Sequence, residues 1–155
     1  MTDKNVTSGE KDLSRPANLA LKLGTLVHSG VYRATGGKLL GRMGRSPILI
    51  LNTVGRKSGK KRATPLLYAV DGEDFVIIAS KGGAPSHPAW YLNLKANPDA
   101  TVEVRDRKVR VRAEELDGEE RERLWKKMAE MYLTYDGHQK RTKREIPLLV
   151  LHPKE

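Results

Sequence analysis

Apolar positions along the chain fall into short runs of strand length, separated by glycine, proline and charge. Pro47–Val54 (PILILNTV) is an almost unbroken apolar stretch, the pattern of a buried strand. Ala63–Val70 predicts a second strand, and Asp71-Gly72 a tight hairpin turn into a third over Asp74–Ser80. Lys81–His87 is a glycine-bearing loop, and Pro88 opens a short helix through Ala96, a favoured place for proline. Thr101–Arg105 and Lys108–Ala113 alternate apolar and polar residues, as a half-exposed hairpin around Asp106-Arg107 does. Val102 and Val104 share one face, as do Val109 and Val111. Asp117–Met131 has helical spacing: Leu124, Trp125, Met128 and Met131 form the apolar side, with Asp117 placed to cap it and Glu119, Glu120 and Glu122 at its positive end. Tyr132–Arg144 is a polar, tyrosine-bearing loop, and Ile146–Leu151 a closing strand.

Upstream, residues 1–15 are a polar, flexible tail. Pro16 begins a helix to about Ser29 with Leu19, Leu23, Leu26 and Val27 on one face. That face suits core packing; Lys22 and the lack of acids also suit a helix lying on a membrane. Five glycines between Gly30 and Gly44 make a loop. About six strands and two or three helices in hairpin-rich order predict an α+β fold. Its centre is an antiparallel, split β-barrel, with the N-terminal helix and the late helix packed against it. Residues 16–155 form one domain on this reading. No GxGxxG follows a strand, which argues against a dinucleotide-binding doubly wound sheet.

Composition narrows the chemistry. None of the 155 residues is Cys, which removes disulfides, thiolate catalysis and Cys-ligated metals. The longest purely apolar runs are about four residues, far from the roughly 20 that cross a bilayer. No signal-peptide core is visible, which fits a cytoplasmic protein. Net charge is +10, and its placement matters more than its size. Leu13–Val70 holds 11 Lys or Arg and no acid, while the remainder holds 18 basic and 19 acidic residues. One-signed stretches favour anionic partners: nucleic acid, acidic membrane, or a small molecule bearing phosphate and carboxylates.

Four constellations can carry function. Gly55–Arg62 (GRKSGKKR) sets five cations and Ser58 in a glycine-punctuated turn where backbone N–H groups can approach an anion. It is not a Walker A loop; a solvated hairpin tip is the plainer alternative, and the clustering of cations and the lack of acids count against it. Ala79–Pro85 (ASKGGAP) follows a strand end. Gly82-Gly83 lets backbone lie against a flat ligand, Ser80 can donate a hydrogen bond, and Lys81 can pair with phosphate. In His87–Leu94, Trp90 could stack on a ring or simply fill the core. Tyr132, Tyr135 and His138, spaced by three, could shape an acceptor pocket and deliver a proton, or be surface groups. The four histidines lack metal-ligand spacing, so no metal site is expected.

In this order the four pieces resemble the deazaflavin-dependent nitroreductase family, actinobacterial split-barrel oxidoreductases related to FMN-binding proteins. The resemblance rests on LNTVGRKSGKKRATPLLY, DGEDFVIIASKGGAPSHPAWYLNLKANPDATVEV, the late helix with Tyr132 and Tyr135, and IPLLVL, from about Pro47 to Leu151. It implies coenzyme F420, a 5-deazaflavin whose tail carries a phosphodiester and several glutamates. Arg56, Lys57, Arg62 and Lys81 would then hold phosphate and glutamates, with Ser58 and Gly59 supporting that turn. Pro65, Ala79, Ser80, Gly82 and Gly83 would face the ring, with Ala89 and Trp90 beside it. The implied reaction is hydride transfer from reduced deazaflavin to a quinone, activated enone or nitroaromatic. Ser80, Tyr132, Tyr135 or His138 would serve the acceptor or its protonation. Well-known members carry tyrosines where this chain has Leu67 and His138, so the cofactor carries over but nitroreductase activity on a particular drug-like substrate does not.

Three rivals stand beside this reading. An FMN- or heme-binding barrel, or a non-catalytic cofactor carrier, would use the same fold. FMN ends in one phosphate and needs fewer cations than this chain offers. A nucleic-acid-binding barrel would interleave aromatics among the cations, and residues 55–62 contain none. The small-molecule reading leaves monomer and homodimer open, with peripheral membrane contact through the N-terminal helix as its corollary.

Overall fold

A computed structural model describes residues 42–43 and 46–154. The expected tail, the helix over 16–29 and nearly all of the glycine loop lie outside the described residues. The strands are β1 (Arg42–Met43), β2 (Ser46–Val54), β3 (Lys61–Leu67), β4 (Ala69–Asp71), β5 (Asp74–Ile78), β6 (Asp99–Val104), β7 (Arg107–Leu116) and β8 (Leu148–Pro153). The helices are α1 (Ala89–Ala96), α2 (Gly118–Met131) and α3 (Thr134–Lys140), with a short 3₁₀ turn at Lys81–Gly83.

All pairings are antiparallel. Running across the sheet the order is β3, β2, β6, β7, β8, β5, β4, with β1 continuing the edge at Ser46-Pro47. β3 and β4 are one stretch of chain kinked at Tyr68. Because β3 lies on β2 and β4 on β5, that stretch joins the two ends of the sheet and curls it into a barrel. The expected strand over 63–70 is thus two strands on opposite edges. Tyr68 makes the corner: its N–H donates to the Pro47 carbonyl at 3.2 Å and its ring meets Phe75 edge-on at 5.8 Å.

Period-2 alternation sorts the core into two layers. Leu49 and Leu51, Phe75 and Ile77, Val102 and Val104, Val111, Leu149 and Leu151 face the barrel interior, joined by Trp90, Tyr91 and Leu94 of α1. The alternate positions Val76, Ile78, Leu148 and Val150 face outward beneath Leu124 and Met128 of α2 and Tyr135 of α3. So β5 and β8 are buried on both faces and read as unbroken apolar runs.

Three boundaries move. The hairpin loops are Gly72-Glu73 and Arg105-Asp106, each one residue from the expected turn, with Gly72 and Arg105 at φ of 63° and 56°. Asp117 stands at the start of α2 in extended conformation, but its side chain makes no capping bond. The stretch expected as a loop over 132–144 contains α3. Trp125 Nε1 donates to Asp136 Oδ1 at 2.8 Å, and Tyr135, 4% exposed, is buried under α2. Tertiary packing, rather than the propensities of TYDGHQK, secures this one-sided helix.

Candidate functional site

Glycine and asparagine chemistry shape the basic turn between β2 and β3. Gly55 N–H donates to the Lys60 carbonyl and Gly59 N–H to that of Gly55, both at 2.8 Å. Ser58 Oγ accepts from the Lys60 amide at 3.2 Å, and a Cβ on Gly55 would stand 2.6 Å from that oxygen. Gly59 has φ of 69°, where other residues are strained. Arg56, Lys57, Lys60, Lys61 and Arg62 all remain exposed. The turn is anchored from α1: Asn93, 5% exposed, accepts from the Arg56 amide at 3.1 Å and donates to Thr53 Oγ1 at 3.3 Å.

The second loop leaves β5 at Ala79 and turns through three consecutive left-handed residues, Lys81, Gly82 and Gly83, at φ of 46°, 64° and 82°. The non-glycine Lys81 stores local strain there, of a kind that gathers at functional sites. A Cβ on Gly83 would lie 2.6 Å from the His138 carbonyl, so the loop and α3 touch backbone to side. Lys81 Nζ donates to Ser86 Oγ at 3.2 Å. Ser80 is 8% exposed, with its carbonyl accepting from Gly83 N–H at 2.9 Å.

Arg144 fastens this loop. Its Nη2 donates to the Ser80 carbonyl at 2.8 Å, its Nη1 and Nη2 to that of Ala79 at 3.3 Å, and its Nε to that of Ala84 at 2.9 Å. Nη1 also lies 3.0 Å from His87 Nδ1, which must accept, leaving the proton on Nε2. Burial, aided by Arg144, holds His87 below its usual pKa. The His87 ring rests on Tyr91 at 4.7 Å, and Tyr91 donates to Glu115 at 2.8 Å. Burial and that carboxylate push the Tyr91 phenol up to about 12.

Tyr132, Tyr135 and His138 form one aromatic cluster, with ring centroids 5.0, 6.0 and 6.3 Å apart. Tyr132 and Leu67 are half-buried against the outer core layer. Burial raises the Tyr135 phenol and lowers His138, with Arg141 adding to the latter. His138 Nδ1 is buried without a partner, a costly condition that a bound polar group would relieve.

The four expected constellations therefore form two joined pairs: turn with α1 through Asn93, and loop with α3 through Gly83, with Arg144 bridging loop to His87. Trp90 is 7% exposed among the interior residues, whereas Ala89 is exposed. Asn93 and Arg144 escaped the sequence reading. A buried Asn on an apolar helix face is a weak signal of a polar anchor, while Arg144 sits in the charged run RTKRE and gives none.

A curled antiparallel barrel closed by β3 and β4, carrying an acid-free cationic turn and a left-handed glycine loop, places the chain among the split β-barrels. Comparison with known proteins sharpens that class. The sequence model of the F420H(2)-dependent quinone reductase family matches residues 25–153, and the chain belongs to that family, whose cofactor is coenzyme F420. An F420H(2)-dependent quinone reductase of Mycobacterium tuberculosis is 41% identical over 129 residues, spanning 81% of this chain and 87% of the relative. A solved F420-H2 dependent reductase is 44% identical with a TM-score of 0.64, over 68% of this chain and 94% of its own. A solved domain-swapped dimer is 36% identical with a TM-score of 0.66, over 88% and 99%. A heme storage protein of Vibrio cholerae, 18% identical with a TM-score of 0.53 over 70% and 82%, shares the fold alone. No helix among the described residues is long and apolar enough to cross a membrane.

Proposed function

We propose that this chain binds reduced coenzyme F420 between the 55–62 turn and the 79–84 loop and passes its reducing equivalents to a quinone. The observation that carries the reading is the contact of the left-handed Lys81–Gly83 turn with α3, where the Gly83 backbone meets His138 of the Tyr132, Tyr135 and His138 cluster. When bound, the cofactor supplies a hydride from C5 of the reduced deazaflavin. The protein's part is placement and electrostatics. Arg56, Lys57, Arg62 and Lys81 neutralise phosphate and glutamates, with Ser58 and Gly59 shaping the turn. Pro65, Ala79, Gly82 and Gly83 offer side-chain-poor surface to the ring, Ala89 borders it, and Trp90 supports it from the core. Leu67 and Tyr132 supply an apolar wall for the acceptor. Ser80, Tyr132 or the neutral His138 imidazole donates the proton the reduced acceptor needs, with Tyr135 holding the cluster's shape.

Residues 16–29 would bring the enzyme to a bilayer surface, where apolar quinones dissolve; their acid-free amphipathic pattern supports this. The catalytic barrel would work from the cytoplasm, as a monomer or as a homodimer like its domain-swapped relative. The test is a fluorescence titration with F420 beside FMN at low and high salt. Selective, salt-sensitive F420 binding, strongly weakened by Lys57→Ala with Arg62→Ala, is expected. Equal or tighter FMN binding would instead favour the flavin-barrel alternative.

A further inference from the structure

His87 is a half-buried histidine just before α1 that the proposed reaction leaves without a role. Its Nδ1 lies 3.0 Å from Arg144 Nη1. A guanidinium only donates, so Nδ1 must be the accepting nitrogen of a neutral ring. The five N–H groups that a guanidinium offers match five contacts here. Nε meets the Ala84 carbonyl, Nη2 those of Ala79 and Ser80, and Nη1 that of Ala79 and His87. Four of these acceptors are carbonyls, which cannot change charge; His87 can.

The backbone of Arg144 is fixed from α3. Gln139 Nε2 donates to the Arg144 carbonyl at 2.8 Å, and Gln139 Oε1 accepts from the Ile146 amide at 2.9 Å. Arg144 therefore spans from α3 to the left-handed loop, with His87 at the tip of its fork. Around the imidazole, Tyr91 of α1 lies against the ring and Glu115 of β7 favours the charged form. That carboxylate is engaged by Tyr91 Oη at 2.8 Å and Lys95 Nζ at 3.1 Å. Burial and Arg144 outweigh it, so the neutral ring is favoured.

We propose that His87 is a positioning residue of the reductase: as an uncharged acceptor it aims Arg144 at the loop carbonyls and so fixes residues 80–84 for the cofactor. The ligand rests on the F420 reading above; the tie to the loop does not. Protonation makes Nδ1 a donor, strips one Arg144 N–H of its acceptor and sets two cations 3.0 Å apart. The loop then loosens as pH falls below 6.5, and cofactor affinity falls with it.

Asparagine puts a non-titrating oxygen near the place of Nδ1, whereas phenylalanine keeps a ring against Tyr91 and removes the acceptor. The wild type, His87→Asn and His87→Phe are compared between about pH 5 and 8, the range over which histidine changes charge. Thermal unfolding verifies that the variants fold. Amide hydrogen exchange, corrected for intrinsic rates, reads the cofactor-free loop through the Gly83 and Ala84 N–H groups, which donate to the Ser80 and Lys81 carbonyls. Fluorescence titration reads F420 affinity. Towards acid the wild type loses protection of both amides and roughly ten-fold in affinity, the worth of one hydrogen bond to a charged group. His87→Asn keeps both across the range, and His87→Phe lacks both throughout. Because His138 titrates in all three proteins, the contrast between wild type and His87→Asn belongs to His87. A His87→Asn chain that follows the wild type into acid overturns the proposal. So does a His87→Phe loop as protected as that of the wild type, or an affinity that ignores His87 while protection follows it. Protection as expected in a wild type that binds no F420 at any pH overturns the F420 reading and leaves the tie standing.

Discussion

The guanidinium of Arg144 meets the carbonyls of Ala79, Ser80 and Ala84 and the ring nitrogen of His87. A lysine keeps the charge but not the fork that reaches four acceptors at once. Arg144→Lys should therefore cost about 2 kcal/mol of stability through half-buried carbonyls left without donors. It should also lower kcat/KM for reduced F420 more than the loss of stability explains. Thermal unfolding and steady-state turnover check the two parts separately. Gly83 is a second single-residue test. A methyl there would meet the His138 carbonyl at 2.6 Å on a backbone at φ of 82°. Gly83→Ala should cost about 2 kcal/mol or more and separate the loop from α3. By contrast, Gly82→Ala, where nothing lies within 4 Å, should carry only the backbone strain. Glycines, lysines and tyrosines of the candidate site could be singled out in the sequence because their chemistry is local. Arg144 was not, since its partners lie some 60 residues earlier in the chain.

Among the elements, β8 ties its neighbours together through His152. Nδ1 lies 3.0 Å from Asp74 of β5 and Nε2 2.7 Å from Glu114 of β7. Both nitrogens donate only in the imidazolium, and the Glu114 bond, with Asp74 in support, raises the pKa above the usual 6.5. A raised folded-state value contributes stability that is full below 6.5 and lost as pH rises through it. The stability gap between wild type and His152→Gln should therefore shrink on going from acidic to mildly alkaline pH; a gap that widened would refute the ion-pair reading. His87 and His138 act in the opposite sense. Their lowered values favour the neutral form, a contribution held above 6.5 and lost as pH falls below it. Strands were read well where alternation or apolar runs were strong. The kink at Tyr68 was missed because both halves have strand composition and only the closing of the barrel separates them. The helix α3 was missed because a single buried residue, Tyr135, carries its packing face.

For the whole molecule, charge placement and fold together make the argument. The antiparallel barrel ties the basic turn to α1 through Asn93 and the left-handed loop to α3 through Gly83, which the hydrophobic pattern alone could not show. Net charge of +10 concentrated before residue 71 predicts cofactor affinity that falls with salt. Asn93→Ala, which unties the basic turn from α1, should weaken F420 binding several-fold and cost about 1 kcal/mol in unfolding. The central claim, F420-dependent quinone reduction, has a direct test. Purified protein is mixed with reduced F420 and a soluble quinone, and the deazaflavin absorbance is followed with time. Enzyme-dependent recovery of the oxidised chromophore, one equivalent per quinone reduced and suppressed in the Lys57→Ala with Arg62→Ala variant, is the predicted result. Recovery no faster than in the protein-free mixture, under conditions where F420 is bound, would contradict it.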